Sequence, residues 1–166
     1  DAYEIPIVPS SIDEQYDVIV ISGEPEGVAA AVSAARNGAK TLLIEEKEEL
    51  GGLFTYGMLN FIDYPKGSEG DTVTTGIYQE WRKLIGNDVA FGIKEGKAMF
   101  YKLVSEEENL TFLPQTKVTE AIVEDNTVTA LKIENKNGLK TISANTFIDA
   151  SQDADFAVMA GAPYFL

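Results

Sequence analysis

Between positions 16 and 45 the apolar residues fall in blocks whose order reads as strand, helix, strand. Residues 16–21 form a short apolar run rich in β-branched side chains, the composition of a parallel strand buried on both faces. Gly23 and Pro25 break that run. Half of residues 27–36 are alanine, which favours helix and leaves a smooth surface that can lie close to a sheet. Gly38 stands where a helix C-cap glycine belongs. Residues 41–44 form a second apolar strand that ends on Glu45, a carboxylate 18 residues after Gly27, which is the spacing of a dinucleotide-binding fold.

The rest of the chain is read around this unit. Residues 1–15, with Pro6, Pro9, two serines and several acids, suit an extended arm that Ile5 and Ile7 pin to the surface. Gly51 and Gly52 make a turn that lets backbone N–H groups approach a ligand without Cβ obstruction. The segment after them, through Phe54, Thr55, Tyr56 and Gly57, holds too much glycine to predict a helix. Residues 65–71 are polar and read as an exposed loop, with Thr72 capping the next helix. Ile77, Trp81, Leu84 and Ile85 recur at helical spacing up to Gly86, with Trp81 as a core anchor. A second helix over 94–105 carries Met99, Leu103 and Val104 on one side and Lys94, Lys97 and Lys102 on a solvated face. A short strand over 110–113 is closed by Pro114. Strands over 117–124, 127–134 and 140–143, joined by turns at Asp125-Asn126 and at 135–138, form an antiparallel meander inserted into a parallel fold. The last of them leads into 146–150, and a helix follows over 153–160. The fold class is therefore α/β: a Rossmann-like dinucleotide-binding domain, a parallel sheet with an inserted three-stranded meander.

Composition narrows the function. A chain of 166 residues with 45% hydrophobic content holds one domain with a real core. No apolar run approaches the length of a membrane span. A net charge of −14 argues against nucleic acid or an anionic membrane as partner. With no cysteine and no histidine, disulfides, thiolate nucleophiles, a histidine base and the usual zinc ligands are excluded within this chain, and no metal site is expected. The compartment stays open between bacterial cytoplasm and export after removal of a signal.

A pyrophosphate is favoured at a helix N-terminus, where unpaired N–H groups and the helix dipole point at it. A carboxylate at the end of the second strand accepts hydrogen bonds from ribose hydroxyls. In GxGxxG register the three glycine positions are Ser22, Glu24 and Gly27, so only the last is glycine. Glu24 and Glu26 each bring a like charge toward a phosphate. At an effective dielectric of about 20 each repulsion reaches a few kcal/mol unless the side chain turns outward to water. An ordinary βαβ unit with no ligand satisfies the same glycine pattern.

Three segments together resemble the FAD-dependent oxidoreductases with a glutathione-reductase-like flavin domain, and within them the xanthan-lyase-like bacterial group. They are ISGEPEGVAAAVSAARNGAKTLLIE, LGGLFTYGMLN and NTFIDASQDADFAVMAGAPY. The departures are Ser22 and Glu24 in the first, and Ser151 and Gln152 where Thr-Gly is usual in the third. The resemblance implies that Ser22, Gly23, Glu24, Pro25, Glu26 and Gly27 lie at the pyrophosphate of FAD, with Glu45 on the adenosine ribose and Glu46 beside it. It implies Gly51, Gly52 and Thr55 toward the pyrophosphate and flavin, and Val118 at the adenine. Asp149, Ala150 and Ser151 would close over the cofactor with Asp153 near the ribityl chain, and Phe54, Thr55 and Tyr56 would face an unknown small-molecule substrate. No catalytic residue is implied. Members of the family are longer and carry a separate substrate domain, so residues 16–166 read as an incomplete FAD-binding domain. Its partner is then the remainder of the same enzyme or a second copy. Two alternatives stay open: a non-catalytic protein keeping a degenerate flavoprotein fold with FAD binding weak or absent, and an NAD-dependent Rossmann dehydrogenase domain.

Overall fold

The computed structural model describes residues 8–63, 65–70, 73–86 and 89–165. Ile5, Ile7 and the Thr72 cap lie outside them. Strand β1 (Gln15–Ile21), helix α1 (Pro25–Arg36) and strand β2 (Thr41–Ile44) form the expected unit, with Val18 paired to Thr41 and Ile21 to Ile44 in parallel register. All four residues of β2 are buried. Helix α1 ends as its glycine predicts, with Gly38 at a φ of 86°. Helix α2 (Gly52–Thr55) is a single turn where the glycine content predicted none. Helices α3 (Gly76–Leu84) and α4 (Ile93–Ser105) match the helical periodicities, and strand β3 (Leu110–Leu113) pairs with β2. Strands β4 (Lys117–Glu124), β5 (Thr127–Asn135) and β6 (Gly138–Asp149) follow, and then the short helix α5 (Asp155–Met159).

The six strands form one sheet in the order β3-β2-β1-β6-β5-β4. The sequence suggests two separate pieces at 140–143 and 146–150, but β6 is a single strand of 12 residues. Its first half pairs antiparallel with β5 and its second half parallel with β1; Ser143 faces both Ala130 and Gln15. Ala144-Asn145 contains no breaker, and Asn145 Nδ2 donates to Asp17 Oδ1 at 3.3 Å across to β1, so the ladder continues through it. The meander therefore extends the parallel sheet edgewise.

Both faces of the sheet are covered, which is why β1 and β2 read as unbroken apolar runs. On one face Val20, Leu43, Val28, Ala31 and Val32 pack with α3 and α4 around Trp81. The Trp81 ring stacks on Phe100 with centroids 4.6 Å apart and meets Phe91 edge-on at 5.1 Å. Its indole N–H donates to the Gly96 carbonyl at 3.0 Å. On the other face Ile19, Ile21, Leu42 and Ile44 pack with Leu131, Ile133, Ile142, Val8 and Phe156. Residues 8–14 lie along the meander as an extended arm, where Lys140 Nζ donates to the Ile12 carbonyl and Asn137 Nδ2 to that of Pro9.

One solvated-face expectation is corrected. Lys97 forms an ion pair with Glu49, both largely shielded, so this lysine ties α4 to the loop after β2. Tyr101, one turn further on, donates to the Glu48 carbonyl at 2.7 Å, and burial pushes its hydroxyl pKa up to about 12. Among the described residues no helix is long and apolar enough to cross a membrane.

Candidate functional site

The site lies at the carboxyl ends of β1, β2 and β6, where a parallel sheet leaves its loops and helix starts together. Ser22 follows β1 with a φ of 82°, a left-handed conformation that glycine adopts freely and serine does not. The backbone thus keeps the glycine shape although the residue is serine. Gly27 lies against this turn: a Cβ there would run into the Ser22 carbonyl and touch Ala150. The last glycine is retained because helix and strand meet at backbone distance.

Glu45, at the tip of β2, is 5% exposed and held by backbone donors. The Gly23 N–H donates to its Oε2 at 2.6 Å and the Lys47 N–H to its Oε1 at 2.7 Å. A carboxylate offers about four acceptor positions, so capacity remains after these bonds and the long 3.5 Å contact from the Ser22 hydroxyl. Beside it opens a cavity of about 500 Å³ bounded by the β1–α1 turn, Glu45 to Lys47, the start of β4 and the loop before α5. Thr116 and Val118 form its meander wall; Thr116 is held by Pro114 and Asn135 and is almost wholly buried. The wall is strongly acidic, with Glu24, Glu45, Glu46, Asp153 and Asp155 against Lys47 and Lys117.

Glu24 brings its charge to the place expected from the sequence. Its side chain does not turn outward to water, and the residue is only 6% exposed. Its Oε2 accepts the Leu53 N–H at 3.0 Å, just past the glycine pair. A Cβ on Gly52 would fall directly on this carboxylate, so the missing side chain at Gly52 is what admits Glu24. Burial pushes the Glu24 pKa up; Glu26 and Glu45 add to the shift while the Leu53 N–H and Lys47 oppose it. A second hollow of about 200 Å³ continues on the far side, lined by Leu53, Tyr56 and Gly57. Glu24, Lys47 and Gln152 border both hollows, with Gln152 Nε2 donating to Glu26 Oε1 at 3.0 Å.

The remaining candidates divide by position. Ser22, Glu46, Val118, Ser151 and Asp153 line the larger cavity, and Gly52 lines the smaller. Gly23 and Gly51 lie beneath: the Gly51 N–H donates to the Gly23 carbonyl at 2.8 Å, and a Cβ on Gly51 would strike Phe100. Thr55 is 2% exposed and donates to the Leu50 carbonyl at 2.7 Å, while Ala150 packs in the core against α1. Pro25 and Glu26 border a separate apolar hollow beside Trp81, which Phe54 also lines while stacking on that ring. Tyr56 is exposed, with Lys47 Nζ 5.3 Å from its ring centroid. Asp149 is committed locally: its Oδ1 accepts from the Ser151 N–H and hydroxyl, and its Oδ2 from the Ala157 N–H at 2.8 Å, which fixes the start of α5.

Lys47 bordering both hollows was not legible in the chain, because it sits in the acidic run EEKEEL and reads as surface. Its position two residues past the strand-ending carboxylate was the available signal.

A family model described as FAD dependent oxidoreductase matches residues 17–166. Among curated proteins, the digeranylgeranylglycerophospholipid reductase of Thermoplasma volcanium is 29% identical over an alignment covering 89% of this chain and 42% of that protein. The tRNA uridine 5-carboxymethylaminomethyl modification enzyme MnmG of Aquifex aeolicus is 27% identical, covering 82% and 25%. Thermovibrio ammonificans THI4 superposes with a TM-score of 0.66 at 16% identity, covering 90% of this chain and 64% of that one. A geranylgeranyl bacteriochlorophyll reductase-like protein of Thermoplasma acidophilum superposes at 0.57 with 24% identity, covering 90% and 42%. At these identities the structural likeness shows the fold. The chain spans less than half the length of these two curated relatives.

Proposed function

Because the chain belongs to the FAD-dependent oxidoreductase family, we propose that its larger cavity receives the adenosine half of FAD as part of a longer redox enzyme. The observation that carries this reading is Glu45. A buried carboxylate closes the second parallel strand, is oriented by two backbone N–H groups, and keeps acceptor capacity beside a cavity of about 500 Å³. Ribose hydroxyls are the donors such a group takes, and Thr116 and Val118 supply the opposite wall. In this family the isoalloxazine carries the hydride or electron chemistry and the protein positions it.

The fit is not uniform along the cofactor. The adenosine half has space and a matching acceptor. At the pyrophosphate half the Glu24 carboxylate takes the room beside Gly52, and the Gly23, Gly51 and Leu53 N–H donors already have protein acceptors. No chemical step is therefore assigned to a flavin here. One of these relatives is named for a phospholipid and another for a tRNA, so they do not select a substrate class.

Adding excess FAD to the purified chain, removing the unbound fraction and recording the absorbance tests the reading. Retained flavin bands that weaken at least tenfold in Glu45→Ala support it. Loss of ribose hydrogen bonds alone is worth about 1–3 kcal/mol. Equal retention by a folded Glu45→Ala chain would remove Glu45 from the site. The reading of a fold that keeps no cofactor is favoured by one observation, the position of Glu24.

A further inference from the structure

In the arrangement seen, the place where the two hollows meet is filled by the chain's own anion. Glu24 precedes the 12-residue helix α1 as its N-cap residue, where the dipole favours negative charge. Its carboxylate does not bond to the α1 amides, since no side-chain cap hydrogen bond forms. Instead it crosses to the glycine pair and takes the Leu53 N–H. Bare backbone at Gly52 provides the room. A dinucleotide diphosphate approaching the same place brings a second anion onto a buried carboxylate with Glu26 and Glu45 nearby and Lys47 as the neighbouring cation.

We propose that Glu24 is an internal stand-in for the cofactor's diphosphate, so that a dinucleotide binds only by displacing this side chain, whereas a phosphate-free nucleoside enters the larger cavity beside it. Glu24 is then a specificity-determining residue: it sets how strongly the site discriminates against phosphate. This deepens the proposal above and rests on it. Two properties follow from the geometry. The discrimination follows the charge of residue 24 as well as its bulk, because a glutamine occupies the same volume and accepts the same Leu53 N–H. It also leaves adenosine unaffected, because adenosine carries no charge and its proposed acceptor is Glu45, whereas Glu24 is shared with the smaller hollow.

The experiment measures equilibrium binding of adenosine, ADP and FAD to the full chain and to Glu24→Gly and Glu24→Gln, with circular dichroism showing that each is folded. Glycine is tolerated at an N-cap, and glutamine keeps the shape of the native side chain. The wild-type chain is expected to bind adenosine at least tenfold more tightly than ADP. Glu24→Gln is expected to narrow that ratio several-fold, and Glu24→Gly to abolish or reverse it with FAD affinity raised tenfold or more. Adenosine affinity should stay within twofold across all three. Should the folded variants bind ADP and FAD no more tightly than wild type while adenosine binds all three, Glu24 is not the stand-in, yet the cavity reading survives. If no form binds adenosine, ADP or FAD, both proposals fail together. Should only Glu24→Gln prove folded, the ADP to adenosine ratio in that variant decides by itself.

Discussion

Ser22 shows how a motif is kept in shape while lost in letters. Its φ of 82° is a left-handed conformation that glycine adopts freely, and a side chain there costs about 1–2 kcal/mol. The hydroxyl recovers little, since its contact with Glu45 Oε2 is long at 3.5 Å. Ser22→Gly should therefore stabilise the chain by roughly 0.5–1 kcal/mol after the added freedom of glycine in the unfolded state is deducted. Urea denaturation reads this directly, and a less stable variant would show that the serine turn carries no strain. The same scale explains Glu24. Letters alone placed a charge near the phosphate position, but the direction of a three-torsion side chain depends on what surrounds it. Bare backbone at Gly52 and the Leu53 N–H draw it inward, and both lie nearly 30 residues away in the chain.

At the scale of elements, periodicity served well wherever one face or one run was apolar. The strands β1 and β2 and helices α3 and α4 follow from such patterns, and Trp81 takes the anchoring place that its spacing predicts. Phe54, Phe91, Phe100 and Tyr78 surround its ring, and the indole N–H is satisfied by Gly96. Trp81→Ala removes both the packing and the donor at a site 1% exposed. It should cost about 3–5 kcal/mol in guanidinium unfolding; a loss under ~1 kcal/mol would mean that the cluster closes over the gap. Pattern reading failed where strand pairing changes partner. The continuous strand β6 looks like two pieces because its first half has an antiparallel neighbour and its second a parallel one, so no single burial rhythm runs through it. Helix α2 escaped for another reason. Its one turn is held by Gly51 and Glu24 contacts and not by propensity.

Across the whole molecule, part of the acidic composition gathers at one end of the sheet. Five carboxylates and two lysines border the larger cavity, and the most buried charges among them are Glu24 and Glu45. Burial makes Glu24 hold its proton more strongly in the folded chain than in the unfolded one, so the folded chain binds more protons between the ordinary glutamate pKa and the raised one. Stability from this group consequently rises as pH falls through the raised pKa and levels off below the ordinary value. Glu26 and Glu45 reinforce the effect and Lys47 opposes it. Subtracting the stability of Glu24→Gln from that of wild type across pH 4 to 7 should give a difference that moves in favour of wild type toward acid. A flat difference would show that Glu24 is solvated in the folded chain.

What the chain by itself determined was the α/β class, the βαβ unit, the meander and the strand-ending carboxylate. Each rests on short-range pattern: apolar runs, turn residues and spacing within a few dozen positions. Tertiary structure alone decided which candidates meet. It set Ala150, Thr55 and Gly51 into the core, made Lys47 a border of both hollows, and sent the Glu24 carboxylate to the backbone beyond Gly52. The physical reason is that a side chain's direction and an amide's partner are settled by neighbours distant in sequence, and local pattern carries no record of them.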